Sequence, residues 1–146
     1  MTSLRIRVGA ICHENESVLL VEHEQNARRY WLLPGGGVQV GETATDALSR
    51  EVFEETSVKV ETGRLLCVCE SIAPDRARHI VHFLYDARRV SGVPGRSRDA
   101  RVRRSAFVSV SSLGNMTIYP PFQEWLMERV SHGFRDTPEY LGAMWA

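Results

Sequence analysis

Lysine is almost missing from this 146-residue chain: Lys59 is alone among 18 basic residues, the rest being arginine. Net charge is missing as well, because 18 acidic residues balance the basic ones. A field strong enough to draw the whole molecule onto nucleic acid or an anionic lipid surface is thereby excluded. No apolar run approaches the roughly 20 residues of a membrane span; the longest aliphatic stretch is Val18-Leu19-Leu20-Val21. At the start of the chain Leu4, Ile6 and Val8 alternate with Arg5 and Arg7, which is strand periodicity and not a signal peptide. Cysteine is scarce and odd in number, three residues in no framework spacing. A disulfide scaffold is therefore excluded, and a reducing compartment, the cytoplasm, is expected.

What is present is globular in character, 43% hydrophobic and 25% charged. A chain of this length buries about 68–70% of its unfolded surface, so one domain over residues 1–146 is expected. Residues 4–12 alternate, His13-Glu14-Asn15-Glu16 is a polar turn, and residues 17–22 form a second, more buried strand. Trp31-Leu32-Leu33 runs into Pro34-Gly35-Gly36-Gly37, a segment too glycine-rich for regular structure. A helix is expected from Ala44 to Thr56, capped by Thr43 in Thr43-Ala44-Thr45-Asp46. Strands follow at 58–60 and 64–71, a turn at Pro74-Asp75-Arg76, and strands at 79–86 and 101–110. A last helix opens after Pro120-Pro121, buries Phe122, Trp125, Leu126 and Val130, and stops at Gly133. The pattern after Phe134 is indistinct. Several strands with two helices make an α/β or α+β domain.

The first helix is chemically unusual. Glu51, Glu54 and Glu55 fall within an arc of about 100°. Like charges at such spacings each cost about 0.2–0.5 kcal/mol, and these lie toward the negative end of the helix dipole. Arg50 reaches Glu54 at i+4, and no other cation of the helix offsets the cluster. A solvated acidic face is the simplest reading, but the glycines Gly35, Gly36, Gly37 and Gly41 precede the helix, and such loops let backbone approach phosphate. Phosphate beside three carboxylates is repulsive unless a divalent cation lies between, and Mg²⁺ takes both kinds of oxygen. A P-loop is excluded, because residues 36–43 carry Glu42 where that motif needs a lysine.

These residues resemble the Nudix hydrolase signature, G-x5-E-x7-R-E-U-x-E-E-x-G-U, over residues 36–58: Gly36, Glu42, Arg50-Glu51-Val52, Glu54-Glu55 and Val58. One fixed position departs, Ser57 standing where the family has glycine. The resemblance implies a single-domain α/β/α sandwich with a mixed β-sheet. It also implies Mg²⁺- or Mn²⁺-dependent hydrolysis of a nucleoside diphosphate linked to another moiety. Carried over, Glu54 and Glu55 are expected to hold metal, with Glu51 a third ligand or the leading general base, and Glu70, His79 and His82 as outside candidates for that base. Arg50 would orient a glutamate through an ion pair, and Glu42 would hold the loop and helix in register or touch metal through water. Gly35, Gly36 and Gly37 would meet the substrate. A non-glycine residue at a left-handed helix end costs about 1–2 kcal/mol, so Ser57 implies either a different turn or a strained one.

Pro74, 16 residues beyond the signature, resembles a feature of the ADP-ribose pyrophosphatase subgroup, which adds Arg76 and Arg78 as substrate-binding candidates and favours ADP-ribose or a nucleotide sugar. A (deoxy)nucleoside triphosphate-sanitising pyrophosphatase is the alternative, and a nucleotide-binding sensor without turnover is the rival from another class. The expected partner is a small nucleotide, not nucleic acid or membrane; homodimers are common in the family. Arg88, Arg89, Arg96, Arg98, Arg101, Arg103 and Arg104 read as a solvated face in preference to a phosphate-facing rim. Cys67 and Cys69 read as core, since one C-x-C falls short of a zinc site. Trp31 reads as core before base-stacking.

Overall fold

The computed structural model describes residues 3–97 and 99–145. Its elements are β1 (Ser3–Glu14), β2 (Ser17–Gln25), β3 (Arg28–Leu32), β4 (Gly35–Gly37), α1 (Ala44–Thr56), β5 (Lys59–Ile72), β6 (Arg78–Ser91) and β7 (Val102–Ser109). A 3-10 segment (Val110–Asn115), α2 (Gln123–His132) and β8 (Glu139–Met144) complete them. The strands join in the order β3-β2-β1-β6-β5-β8, with β4 pairing β1 and β7 pairing β2. The sheet is mixed: β1 runs parallel to β6 and β5 parallel to β8, while the other pairs are antiparallel.

Strand alternation divides the apolar residues between two layers. Val8, Ala10 and Cys12 of β1 pack with Ala47, Leu48 and Val52 of α1. Ile11, on the opposite face, packs with Leu84 of β6 and with Phe122 and Leu126 under α2. Each fully buried Leu or Val contributes about 1.5–3 kcal/mol, so Leu48 and Val52 are the principal ties between α1 and the sheet. The result is the helix-sheet-helix sandwich expected from the sequence. Thr43 caps α1 as expected, its Oγ1 accepting from the Asp46 N–H at 3.1 Å. Gly133 ends α2 with φ of 100°.

Three local readings are corrected. The Gly35-Gly36-Gly37 segment is a strand, in register with β1 through Gly9↔Gly35, Val8↔Gly36 and Arg7↔Gly37. Glycine is needed there for proximity: a Cβ on Gly35 would lie 2.0 Å from the Val8 carbonyl oxygen. Strands 58–60 and 64–71 merge into β5, whose register against β6 shifts between Thr62 and Leu65. The indistinct tail contains β8, which pairs with β5 from Cys67↔Glu139 to Ser71↔Met144.

The turn after α1 keeps the left-handed geometry despite its serine. Ser57 has φ 64° and ψ 12°, and its N–H donates to Phe53 O. Its hydroxyl donates to Arg96 O at 3.0 Å, and the Gly95 N–H donates to Thr56 O at 2.8 Å. The strain is thus carried, and hydrogen bonds to the loop before β7 offset part of it.

The arginine-rich segment behaves as a solvated face. Arg88 pairs with Glu61, Arg89 with Glu14, Arg101 with Asp99, Arg103 with Glu24 and Arg104 with Glu22. Arg98 lies outside the described residues. Cys12, Cys67 and Cys69 are free and buried. Trp31 packs against the α2-side core, with Arg104 over its ring at 5.1 Å.

Candidate active site

The carboxylates of α1 face the glycine strand, and Arg50 organises them. Its Nε and Nη2 donate to the two oxygens of Glu42 at 2.7 and 3.0 Å. Its Nη1 donates to Glu51 at 2.9 Å and reaches Glu54 at 3.5 Å, and its Nη2 also lies 3.4 Å from Gly37 O. Glu42 accepts a further bond from the Gln39 N–H at 3.1 Å, which ties the loop to the helix. The Arg50 guanidinium, followed by that N–H, holds the Glu42 carboxyl down to about 2.

Glu51 sits directly on Gly36, where an added Cβ would lie 2.3 Å from its Cδ. Burial pushes its carboxyl above the usual range; the charges of Glu55 and Glu54 push the same way, and Arg50 pulls against them. Glu55 shares the acidic arc but is enclosed. Its side chain is 5% exposed, against 43% for Glu54. Its Oε1 accepts from the Gly35 N–H at 2.8 Å, and its Oε2 lies 3.3 Å from His23 Nε2. The Gly35 N–H is therefore engaged by Glu55, which corrects the expectation that this amide helps to cradle phosphate. His23, buried on β2, was not singled out in the sequence, because nothing local marks a histidine as the partner of a glutamate 32 positions away.

Among the described residues no three metal-ligating side chains converge on one point. Mg²⁺ does not need such a cage, since it keeps several waters and binds through one or two carboxylates plus substrate phosphates. Four carboxylates, Glu42, Glu51, Glu54 and Glu55, gather around Arg50 and the glycine strand. Each ionised carboxylate has about four lone-pair sites, so the bonds above leave oxygen donors available. Hard oxygen donors, excess negative charge and a carboxylate seated against side-chain-free backbone fit a hard divalent cation.

Three of the remaining candidates, Glu70, His79 and His82, are engaged by partners of their own. Glu70 is bonded to His79 at 2.8 Å and to Tyr140, and both bonds hold its carboxyl low. His82 is 2% exposed, with Nε2 2.9 Å from Ser71 Oγ, and burial aided by the Arg7 charge lowers it to about 4. Arg76 and Arg78 are exposed, and Arg76 adopts φ of 61° in the turn between β5 and β6. Arg7, which nothing local in the sequence marks, is half-buried on β1 and donates to Leu33 O at 3.0 Å. Burial lowers its guanidinium, while the charges of Glu55 and then Glu51 oppose that shift.

Comparison with known proteins gives concordant results. The sequence model of the NUDIX domain matches residues 3–130. The human protein named 8-oxo-dGDP phosphatase NUDT18 is 34% identical over 90 residues, a match spanning 62% of this chain but 26% of that protein. Phosphatase NudJ of Escherichia coli K12 is 25% identical over 108 residues, 74% of this chain and 70% of the relative. A solved NUDIX hydrolase from Nitrosomonas europaea superposes with a TM-score of 0.80 at 24% identity, covering 91% of this chain and 92% of the other.

Proposed function

The chain belongs to the NUDIX domain family of hydrolases acting on pyrophosphate bonds, and from its site we propose a metal-dependent pyrophosphohydrolase that cleaves a nucleoside diphosphate linked to another moiety. ADP-ribose or a nucleotide sugar is the favoured substrate class. The observation that carries this reading is the Glu51 carboxylate seated on Gly36, inside a group of acids that Arg50 alone does not neutralise. Glu54 and Glu55 would hold Mg²⁺ or Mn²⁺, with Glu51 as a third ligand or as the general base. Bound there, such an ion would supply Lewis acidity toward the phosphoryl oxygens and offset charge in the transition state.

The chain's own residues do the rest. Arg50 fixes Glu42, Glu51 and Glu54 relative to one another, so the acids need not reorganise when substrate arrives. Glu55 is anchored to the strand by the Gly35 N–H and to β2 by His23. Glu51 takes the proton of the attacking water. It rests against Gly36 beside the other acids, within the reach a general base needs, whereas Glu70 is engaged by His79 and Tyr140 and His82 is enclosed. Glu51 covers Gly36, and Gly37 leaves side-chain-free backbone against which a diphosphate lies beside these acids.

The second reading is a nucleotide-sanitising pyrophosphatase acting on (deoxy)nucleoside triphosphates, to which the human relative's name adds an oxidised nucleoside diphosphate. A panel of ADP-ribose, nucleotide sugars and oxidised and ordinary nucleotides, assayed with Mg²⁺ or Mn²⁺ for released monophosphate or phosphate, separates the two. Glu54→Gln is expected to lower kcat at least ~100-fold, since metal stabilisation is worth several kcal/mol and each 1.4 is about a decade. Near-wild-type turnover from that variant would overturn the ligand assignment.

A further inference from the structure

Helix α1 covers only one end of the sheet face on which it packs. Register places Leu4 beside His79, Ile6 beside Val81 and Val8 beside Phe83 across β1 and β6. The same rows continue to Ile72, Glu70 and Val68 on β5, and then from Val68 and Glu70 to Tyr140 and Ala143 on β8. Side chains alternate along a strand, so all of these lie on the α1 side of the sheet. There α1 closes over Val8, Ala10 and Cys12, with Phe83 at the boundary. Beyond Phe83, the side chains of Leu4, Ile6, Val68, Ile72, Val81 and Tyr140 join neither buried cluster. The opposite face of the same strands is closed, with Cys69, Ser71 and His82 at most 2% exposed.

The open patch is large. Leu4 is 62% exposed, Ile6 48% and Tyr140 66%, while Val68, Ile72, Val81 and Phe83 are half-buried. The loop after β4 extends it: the Val38 N–H donates to Ile6 O at 3.1 Å, and Val40, two residues on, is fully exposed. Together these side chains leave roughly 600 Å² of apolar surface open, the upper end of what a typical monomer shows. A homodimer interface is about 65% apolar and takes roughly 800 Å² from each partner. The patch with its polar rim is therefore the size that a stable pair needs.

Charge selects the occupant. Arg5, Arg7 and Arg78 take the alternate positions of their strands and so fall on the other side of the sheet. No arginine or lysine stands in the exposed rows, and the basic surface that anionic lipid or nucleic acid calls for is absent from them. A two-fold axis sets a patch against its own image, which unpaired like charges would oppose. Here the acid and the base are paired: His79 Nε2 lies 2.8 Å from one Glu70 oxygen, and the Tyr140 hydroxyl donates to the other. We propose that this face is a self-association surface, on which a second copy of the chain packs about a two-fold axis. Leu4, Ile6 and Tyr140 are its apolar anchors, and Glu70 and His79 enter the interface already bonded to each other.

The test is sedimentation of the full chain from about 1 to about 100 μM at low and high salt, a measurement of mass that is independent of any hydrolase activity. The parent is expected to sediment as a dimer at the upper concentration, at both salts, since apolar burial is not screened by ions. Ile6→Arg and Leu4→Arg add a charge that water solvates in the monomer and that the pair would bury twice. Each should weaken association at least ~100-fold while melting within a few degrees of the parent. Leu4→Arg, at the more exposed position, carries the test if Ile6→Arg fails to fold. Val93→Arg, in the exposed loop after β6, should leave the dimer intact. A parent that is monomeric at about 100 μM overturns the proposal, as does a dimer that survives both face variants or is lost equally in Val93→Arg. A monomer captured by phosphatidylcholine vesicles, and released by Leu4→Arg, would assign the face to a bilayer and overturn it too.

Discussion

Gly36→Ala should separate the chemistry of this protein from its stability. The new Cβ would lie 2.3 Å from Glu51 Cδ and 2.4 and 2.7 Å from its two oxygens. Ordinary carbon contacts are about 3.5–4.0 Å, so the carboxyl must retreat by more than ~1 Å. It is able to do so, because Glu51 is long and its side chain is 20% exposed. The retreat costs an off-rotamer torsion of about 0.5–1.5 kcal/mol and the bond to Arg50, about 1 kcal/mol more. A loss of about 2 kcal/mol lowers Tm by roughly 4–8 °C in a domain of this size. A displacement of 1 Å at a reacting group costs about 100-fold in rate. The expected variant is therefore folded, melts several degrees early and has kcat about 100-fold down. Gly35→Ala is the control: its Cβ would lie 2.0 Å from Val8 O and 2.8 Å from Gly9 Cα. Those are backbone atoms in a paired strand and have no room to withdraw, so the fold itself should fail. Circular dichroism melts and steady-state kinetics on the two proteins suffice. A folded Gly36→Ala with kcat within ~3-fold of the parent would refute the role given to Glu51, and a normally folded Gly35→Ala would refute the packing given for β4.

Ser57→Ala keeps the left-handed φ of 64° but loses the bond to Arg96 O, and should cost about 1 kcal/mol. Ser57→Gly loses the same bond and relieves about 1 kcal/mol of strain, so it should melt close to the parent and above Ser57→Ala; the reverse order would contradict the strained turn. Glu42 is ionised more readily in the folded chain than its ordinary 4.5, at about 2. Its contribution is therefore present above pH 4.5 and lost as pH falls toward 2, and Glu42→Gln should flatten that part of a pH–Tm curve. An unchanged acid limb in the variant would show that the Arg50 pair does not stabilise the fold. His23→Leu leaves Glu55 Oε2 buried without its 3.3 Å partner, which should cost about 1–3 kcal/mol. Combined with Glu55→Gln, the two losses should be less than additive; a coupling below ~0.3 kcal/mol would show that the pair is not an interaction.

The acidic cluster and its helix were legible because they violate a local rule. Three acids near a helix C-terminus oppose both each other and the dipole, and that cost is visible from spacing alone. The division of labour among them was not. A wheel puts Glu54 and Glu55 side by side, yet one is largely open and the other enclosed, because β2 delivers His23 and β4 delivers the Gly35 N–H to Glu55 alone. The glycine strand was misread for a related reason. Glycine marks a loop when its freedom of φ is needed, but at Gly35 and Gly36 the requirement is the absence of a Cβ against Val8 O and Glu51. Composition cannot separate those two requirements, since both are met by the same residue. Arg7 looked like the solvent-facing half of an alternating strand, and it becomes an interior cation only because β4 and β6 pair on either side of β1. What the sequence displayed was chemistry packed within one helical turn; what it withheld was every partner supplied from another strand. That division falls at the proposed base itself, so Glu51 could be nominated from spacing, whereas the surface it rests on could not.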